Sequence, residues 1–142
     1  MLKFSVLVLD LFYSLLWIKK IGGWKGTYSR CQNNFKVLSD WYQKREWITN
    51  LVRLESIQSN TSVCLEIIDQ KFLQFDDFHK WEFINKMTLL LEKQGAAFDI
   101  KGHRDGPPTL RIWCGPTVET EDLECLLPWL DWAFQFVREN KF

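Results

Sequence analysis

Residues 4–18, FSVLVLDLFYSLLWI, are nearly all apolar, and no other stretch limits the fold of this chain as strongly. The run follows Lys3 and has the outline of a signal peptide or a membrane helix. Three details oppose both readings. Asp10 stands in its middle, no small-x-small cleavage site follows, and the run falls short of the roughly 20 residues that cross a bilayer. As a helix it presents Val6, Leu7, Leu9, Leu11, Phe12, Leu15 and Leu16 around most of its circumference, and a helix apolar on all sides must be buried on all sides. Residues 1–21 are therefore expected to pack on a preceding domain.

The rest of the composition agrees with an unmet surface. Eight Trp and eleven Phe in 142 residues supply more apolar area than one small domain hides by itself. Hydrophobic residues at 46% and charged residues at 25% exclude disordered and low-complexity classes. Lys+Arg and Asp+Glu balance at 18 each, with no basic block, which argues against nucleic-acid partners, whose affinity comes from displaced counterions. Cys31, Cys64, Cys114 and Cys125 show no CxxC or Cys/His spacing, so no metal is expected. A chain this rich in core residues does not need disulfide staples, and reduced thiols in a cytoplasmic protein act as small hydrophobes.

Periodicity divides the chain further. Gly22-Gly23 ends the first helix, and Trp24, Tyr28, Cys31, Phe35, Leu38 and Trp41/Tyr42 mark an amphipathic second helix to about Arg45. Trp47–Ser56 reads as an extended connector or short strand. Thr61–Ile68 alternates Val63, Leu65 and Ile67 against Ser62, Cys64 and Glu66, as a half-buried strand does, and Asp69–Asp77 reads as loop. Asp76 or Asp77 caps a helix with Phe78, Trp81, Ile84, Met87 or Thr88, and Leu91 on one stripe, closed by Gly95. Strands follow at Ala97–Lys101 and Thr109–Cys114, around the loop GHRDGPP. Thr120 caps a last helix that buries Leu123, Leu126/Leu127, Leu130, Phe134 and Val137 and is kinked at Pro128. The class is α+β, a small, mostly antiparallel sheet with helices packed on one face.

One cluster carries chemistry. Lys101 to Arg111 is the densest cationic stretch, and two glycines and two prolines fix its path. It reads as an anion grip. Arginine binds carboxylate or phosphate with a planar fork, and His103 adds a donor. Strand parity sets Arg111 and Trp113 opposite Leu110 and Ile112, so Arg111 emerges on the sheet face without helices. The competing reading is a polar hairpin, with Arg104 paired to Asp105 or solvated and Arg111 bridging a glutamate. His79 and the acidic run from Glu119 to Glu124 are explained by helix starts, and Cys64 and Cys114 by core filling. No GxSxG, HExxH or phosphate-cradling glycine loop supplies a nucleophile or metal.

The segments AFDIKGHRDGPPTLRIWCG and VETEDLECLLPWLDWAF, with LLWIKKIGGWKGTYSRCQNNFKVLSDWY and SNTSVCLEIID upstream, resemble the C-terminal domain of phosphoserine aminotransferases, in the same order and over roughly residues 8–138. The resemblance implies the small domain of a fold-type-I, pyridoxal 5'-phosphate-dependent transferase, so that residues 1–142 form one such domain. It implies a cytoplasmic homodimer that moves an amino group between glutamate and 3-phosphohydroxypyruvate, yielding O-phosphoserine for L-serine biosynthesis and 2-oxoglutarate. Under it, Arg111 holds the substrate α-carboxylate, and His103 and Arg104 reach across the dimer interface to the phosphate or distal carboxylate. The family's Schiff-base lysine lies in a large domain upstream, so no catalytic or cofactor-binding residue is assigned in this chain. The fragment alone is expected to be inactive and to need that large domain and a dimer partner. The alternative is a non-enzymatic anion-binding or interaction module derived from the same domain.

Overall fold

The computed structural model describes residues 2–141. Helix α1 (Leu2–Lys20) runs into α2 (Gly23–Tyr42), and three strands follow among further helices: β1 (Ile48–Asn50), β2 (Ser62–Ile67), α3 (Gln70–Leu73), α4 (Asp77–Lys93), β3 (Leu110–Trp113) and α5 (Thr120–Lys141). A single 3-10 turn at Glu55–Ile57 lies between β1 and β2. The sheet has the order β1-β2-β3 and is antiparallel throughout, with Ile48 opposite Ile67 and Cys64 opposite Arg111. This is the α+β class that the alternation and helix stripes predict.

Two-residue alternation sorts the sheet into faces. Val63, Leu65, Ile67, Ile48, Leu110 and Ile112 are buried. They join Leu38 and Trp41 of α2, Ile84, Met87 and Leu91 of α4, and Leu130 and Phe134 of α5 in one core. Helix α5 packs against both α2 and α4. Trp47, just before β1, stacks on Phe134 with ring centroids 4.0 Å apart. Ser62, Cys64, Glu66, Arg111 and Trp113 take the opposite face, where none of them is buried.

Several boundaries differ from the sequence reading. Helix α2 ends at Tyr42 rather than about Arg45. Asp69 accepts the backbone N–H groups of Lys71 and Phe72, which turns part of the expected loop into α3. Asp76 caps α4 through the His79 N–H. Phe78 is exposed, and Phe83 takes its place in the core beside Ile84. The expected strand at Ala97–Lys101 is absent: only Lys101 bridges to Leu110. Asp99 lies at φ 53°, and a left-handed residue interrupts the extended backbone a strand needs. Helix α5 begins at Thr120 and continues through Pro128. The Thr120 hydroxyl donates to Asn34 Oδ1 at 2.8 Å.

The first helix is long and continuous, yet Val6, Leu7, Val8, Leu9, Leu11, Phe12, Leu15 and Leu16 are all exposed. The core beneath does not reach them. No helix among the described residues is long and apolar enough to cross a membrane.

Candidate functional site

The face of β3 turned away from the helices holds Arg111, the arginine that the sequence pattern singles out. Arg111 extends from it into an open cleft of about 420 Å³ lined also by Ser62, Phe98, Asp99, Ile100 and Trp113. Leu110 and Ile112 are anchored in the core on either side, which fixes the backbone from which Arg111 projects. The Arg111 N–H also donates to the carbonyl of Ile100 at 2.7 Å, tying the floor of the cleft to its rim. The Arg111 side chain is 40% exposed, and its only ion pair among the described residues is with Asp99, at 3.7 Å. Its partner is thus an aspartate from the neighbouring turn rather than a glutamate.

Two glycines shape this region by close approach. A Cβ on Gly102 would lie 2.2 Å from Thr109 Oγ1 and 2.8 Å from the Thr109 carbonyl oxygen. Only glycine lets the two arms of the loop close, with the Gly102 N–H donating to Thr109 at 2.8 Å. A Cβ on Gly115 would sit 2.2 Å from the Trp113 indole. That indole folds over the glycine and donates from Nε1 to the Thr117 hydroxyl at 3.2 Å, so Trp113 forms a fixed wall of the cleft.

The end of β3 is tied to α2 by one side chain. The buried Asn34 amide donates to the carbonyls of Cys114, Gly115 and Val118, while its oxygen accepts from Thr120. Both ends of the buried amide are thereby engaged by the segment from Cys114 to Thr120.

His103 and Arg104 lie elsewhere on the same loop. Both are exposed, at 67% and 89%, and no hydrogen bond or ion pair among the described residues joins either to Arg111. Arg104 Nε lies 3.7 Å from Asp105, which is the polar-hairpin pairing. His103 Nδ1 accepts the Asp105 N–H at 3.2 Å. With Nδ1 acting as acceptor, Nε2 is the nitrogen left to donate to an anion. The loop therefore presents one guanidinium and one imidazole outward, and β3 presents a second guanidinium inside the cleft.

Other sequence candidates fall where helix physics puts them. Hydrogen bonds to the His79 backbone N–H and then to its ring hold the Asp76 carboxyl below its ordinary range. The four cysteines are free. Cys114 is fully buried, and desolvation pushes its thiol up to about 12; Cys125 is exposed. Among the described residues no group of His, Cys, Asp and Glu is placed to hold a metal.

Pyridoxal phosphate is held in its enzymes through a lysine imine, with a carboxylate or arginine facing the pyridine nitrogen. Among the described residues no lysine lines the Arg111 cleft, whose charged groups are Arg111 and Asp99. These residues do not fit that cofactor by themselves.

An arginine on the free face of a small antiparallel sheet, beside a glycine-tightened loop that carries a second arginine and a histidine, describes an α+β small domain. The chain is a relative of the phosphoserine aminotransferases and corresponds to a portion of them. It is 37% identical over 131 residues to phosphoserine aminotransferase of Methanosarcina barkeri, and 36% identical over 129 residues to that of Methanosarcina mazei. Each match covers 91% of this chain and 32% of the relative, so the chain spans about a third of the length of these proteins. Phosphoserine aminotransferase from Bacillus circulans subsp. alkalophilus has the same fold, with a TM-score of 0.67 at 18% identity, over 84% of this chain and 30% of that one. A second phosphoserine aminotransferase structure, from a study of radiation damage to its Schiff base, matches with a TM-score of 0.65 at 15% identity. No family model matches the chain.

Sequence reasoning missed Asp99, Phe98 and Trp113 as parts of the cleft. Parity offered a signal for Trp113, two residues from Arg111. Nothing local marks Asp99 as left-handed.

Proposed function

We propose that this chain is the substrate-gripping C-terminal small domain of a phosphoserine aminotransferase and works with a pyridoxal phosphate-bearing large domain. The reaction is amino transfer between glutamate and 3-phosphohydroxypyruvate, giving 2-oxoglutarate and O-phosphoserine. The carrying observation is the match along nearly the whole chain to phosphoserine aminotransferases, with Arg111 open to a cleft on the sheet face that no helix covers.

The chemistry fits the grip. Each substrate carries an anionic group at either end, and two separated cationic contacts orient such a molecule better than one. Arg111 takes the α-carboxylate in its planar fork. His103 and Arg104, outward and close to the dimer partner, take the phosphate or the distal carboxylate in the partner's site. The cofactor, held by the large domain, supplies the electron sink for moving the amino group. The exposed apolar length of α1 is the surface on which that large domain packs, burying Leu7, Leu11 and Phe12.

The test is reconstitution. The remaining part of the Methanosarcina barkeri enzyme, expressed separately and loaded with pyridoxal phosphate, is mixed with this chain and assayed for O-phosphoserine formation. Activity that appears on mixing and is lost with Arg111→Ala supports the reading. A folded chain that binds phosphoserine through Arg104 and Arg111, yet never restores transamination, points to an anion-binding module instead.

A further inference from the structure

We propose that Asp99 is a resident competitor for Arg111, occupying its guanidinium fork when no substrate is bound and setting the affinity of the cleft for carboxylates; this rests on Arg111 being the carboxylate contact.

Asp99 Oδ2 lies 3.7 Å from Arg111 Nη2, inside the same cleft. Asp99 is the only non-glycine residue at positive φ among the described residues. Glycine or asparagine fits that backbone at least as well, so the backbone alone does not call for aspartate. Left-handed non-glycine residues gather at ligand clamps, where the surroundings hold them. Here the surroundings do this through Ile100. Ile100 beside it is buried and its carbonyl accepts the Arg111 N–H, so the turn that carries Asp99 is fastened to the strand that carries Arg111.

The pair is also loose enough to yield. Asp99 is 91% exposed and Arg111 is 40% exposed, so water screens their attraction. A substrate carboxylate that engages both nitrogens of the fork gains more than the single 3.7 Å contact it replaces. The other acid of the region, Asp105, is taken by Arg104 on the far arm of the loop. Phe98 and Trp113 contribute exposed aromatic surface to the cleft and no charge, which leaves Asp99 as the cleft's single carboxylate among the described residues. An incoming anion must displace it, and a weak one gains little by doing so.

The full chain carries the test, with 2-oxoglutarate as the probe, binding followed by isothermal titration calorimetry in every variant, and its place checked at the Arg111 Nε–Hε resonance in the variants that keep Arg111. Asp99→Asn and Asp99→Gly both keep the left-handed backbone. Both are expected to bind about two- to fivefold more tightly than the parent at low salt, the scale of an exposed ion pair. In about 0.5 M NaCl, where such pairs are screened, the gain should vanish. Unchanged or weaker binding in Asp99→Asn, with binding still abolished by Arg111→Gln, overturns the competitor role and leaves the Arg111 reading standing. A gain that salt does not touch makes the effect structural and also overturns it. Binding that survives Arg111→Gln, or none in the parent and in Asp99→Asn, overturns both together.

Discussion

The indole N–H of Trp47 donates to the carboxylate of Asp131 at 3.1 Å, joining the entry to the sheet to the middle of α5. The same carboxylate accepts Trp41 Nε1 at 3.0 Å and two guanidinium nitrogens of Arg45, at 2.8 and 2.9 Å. One half-buried aspartate thus holds α2, the connector after it, and α5. Burial pushes its pKa up, and the hydrogen bonds from Arg45, Trp41 and Trp47 outweigh this and leave it below the ordinary value.

That depression gives a pH dependence with a definite sign. A carboxyl whose folded pKa lies below its unfolded value contributes stability that is present above the unfolded value, near 4, and is lost as pH falls through the folded one. The urea midpoint of the parent should therefore fall in acid, and Asp131→Asn should flatten this dependence. At pH 7, Asp131→Ala strands two indole donors and a guanidinium and is expected to cost about 1–3 kcal/mol.

Asn34 offers a sharper case, because its amide is buried and every partner lies between Cys114 and Thr120. Asn34→Leu removes the side-chain partner of the Cys114 and Val118 carbonyls and of the Thr120 hydroxyl, while the Gly115 carbonyl keeps the Val118 N–H. A loss of about 2–3 kcal/mol in chemical denaturation is expected, since each stranded buried group carries its own desolvation penalty.

Gly102→Ala forces a methyl into Thr109, whose backbone is part of the contact. The hairpin must open, so hydrogen exchange at the Gly102 and Arg111 amides should accelerate well before global unfolding. Gly115→Ala displaces the Trp113 indole instead. It should redshift that residue's fluorescence while costing less stability, because a half-exposed side chain has somewhere to move.

Thiol reactivity should follow burial. Cys125 is exposed and is expected to react with Ellman's reagent in the native state. Cys114, whose thiol is pushed to about 12 by desolvation, should react only after denaturant is added.

The residues that alternate or repeat at helical spacing were legible in sequence because burial is periodic. Val63, Leu65 and Ile67 on β2, and Leu123, Leu130 and Phe134 on α5, fall on their buried faces as the pattern requires. Arg111 was legible for the same reason, since its neighbours Leu110 and Ile112 announce which way it points. The strand expected at Ala97–Lys101 failed because one left-handed residue, Asp99, decided the path, and no composition rule marks an aspartate for that backbone. The knots at Asp131 and Asn34 were invisible because their partners lie 80 or more residues away in sequence. The exposed length of α1 follows from a run of residues too apolar for one small domain to cover.

The joint at the base of α1 has a mechanical consequence. Gly22 and Gly23 take left-handed backbone, and Gly26 packs so tightly that a Cβ there would lie 1.8 Å from the Ile21 carbonyl oxygen. Arg30 spans the corner, its guanidinium over the Trp17 ring at 5.9 Å and its Nε donating to the Pro116 carbonyl at 2.8 Å. Helix α1 is thus a lever whose elbow is locked to α2, and α2 is pinned through Asn34 to the end of the strand that carries Arg111. Any body that seizes α1 takes up a set distance and angle from that guanidinium. Aim is built into the elbow, and Gly26→Ala would spoil it without touching the cleft.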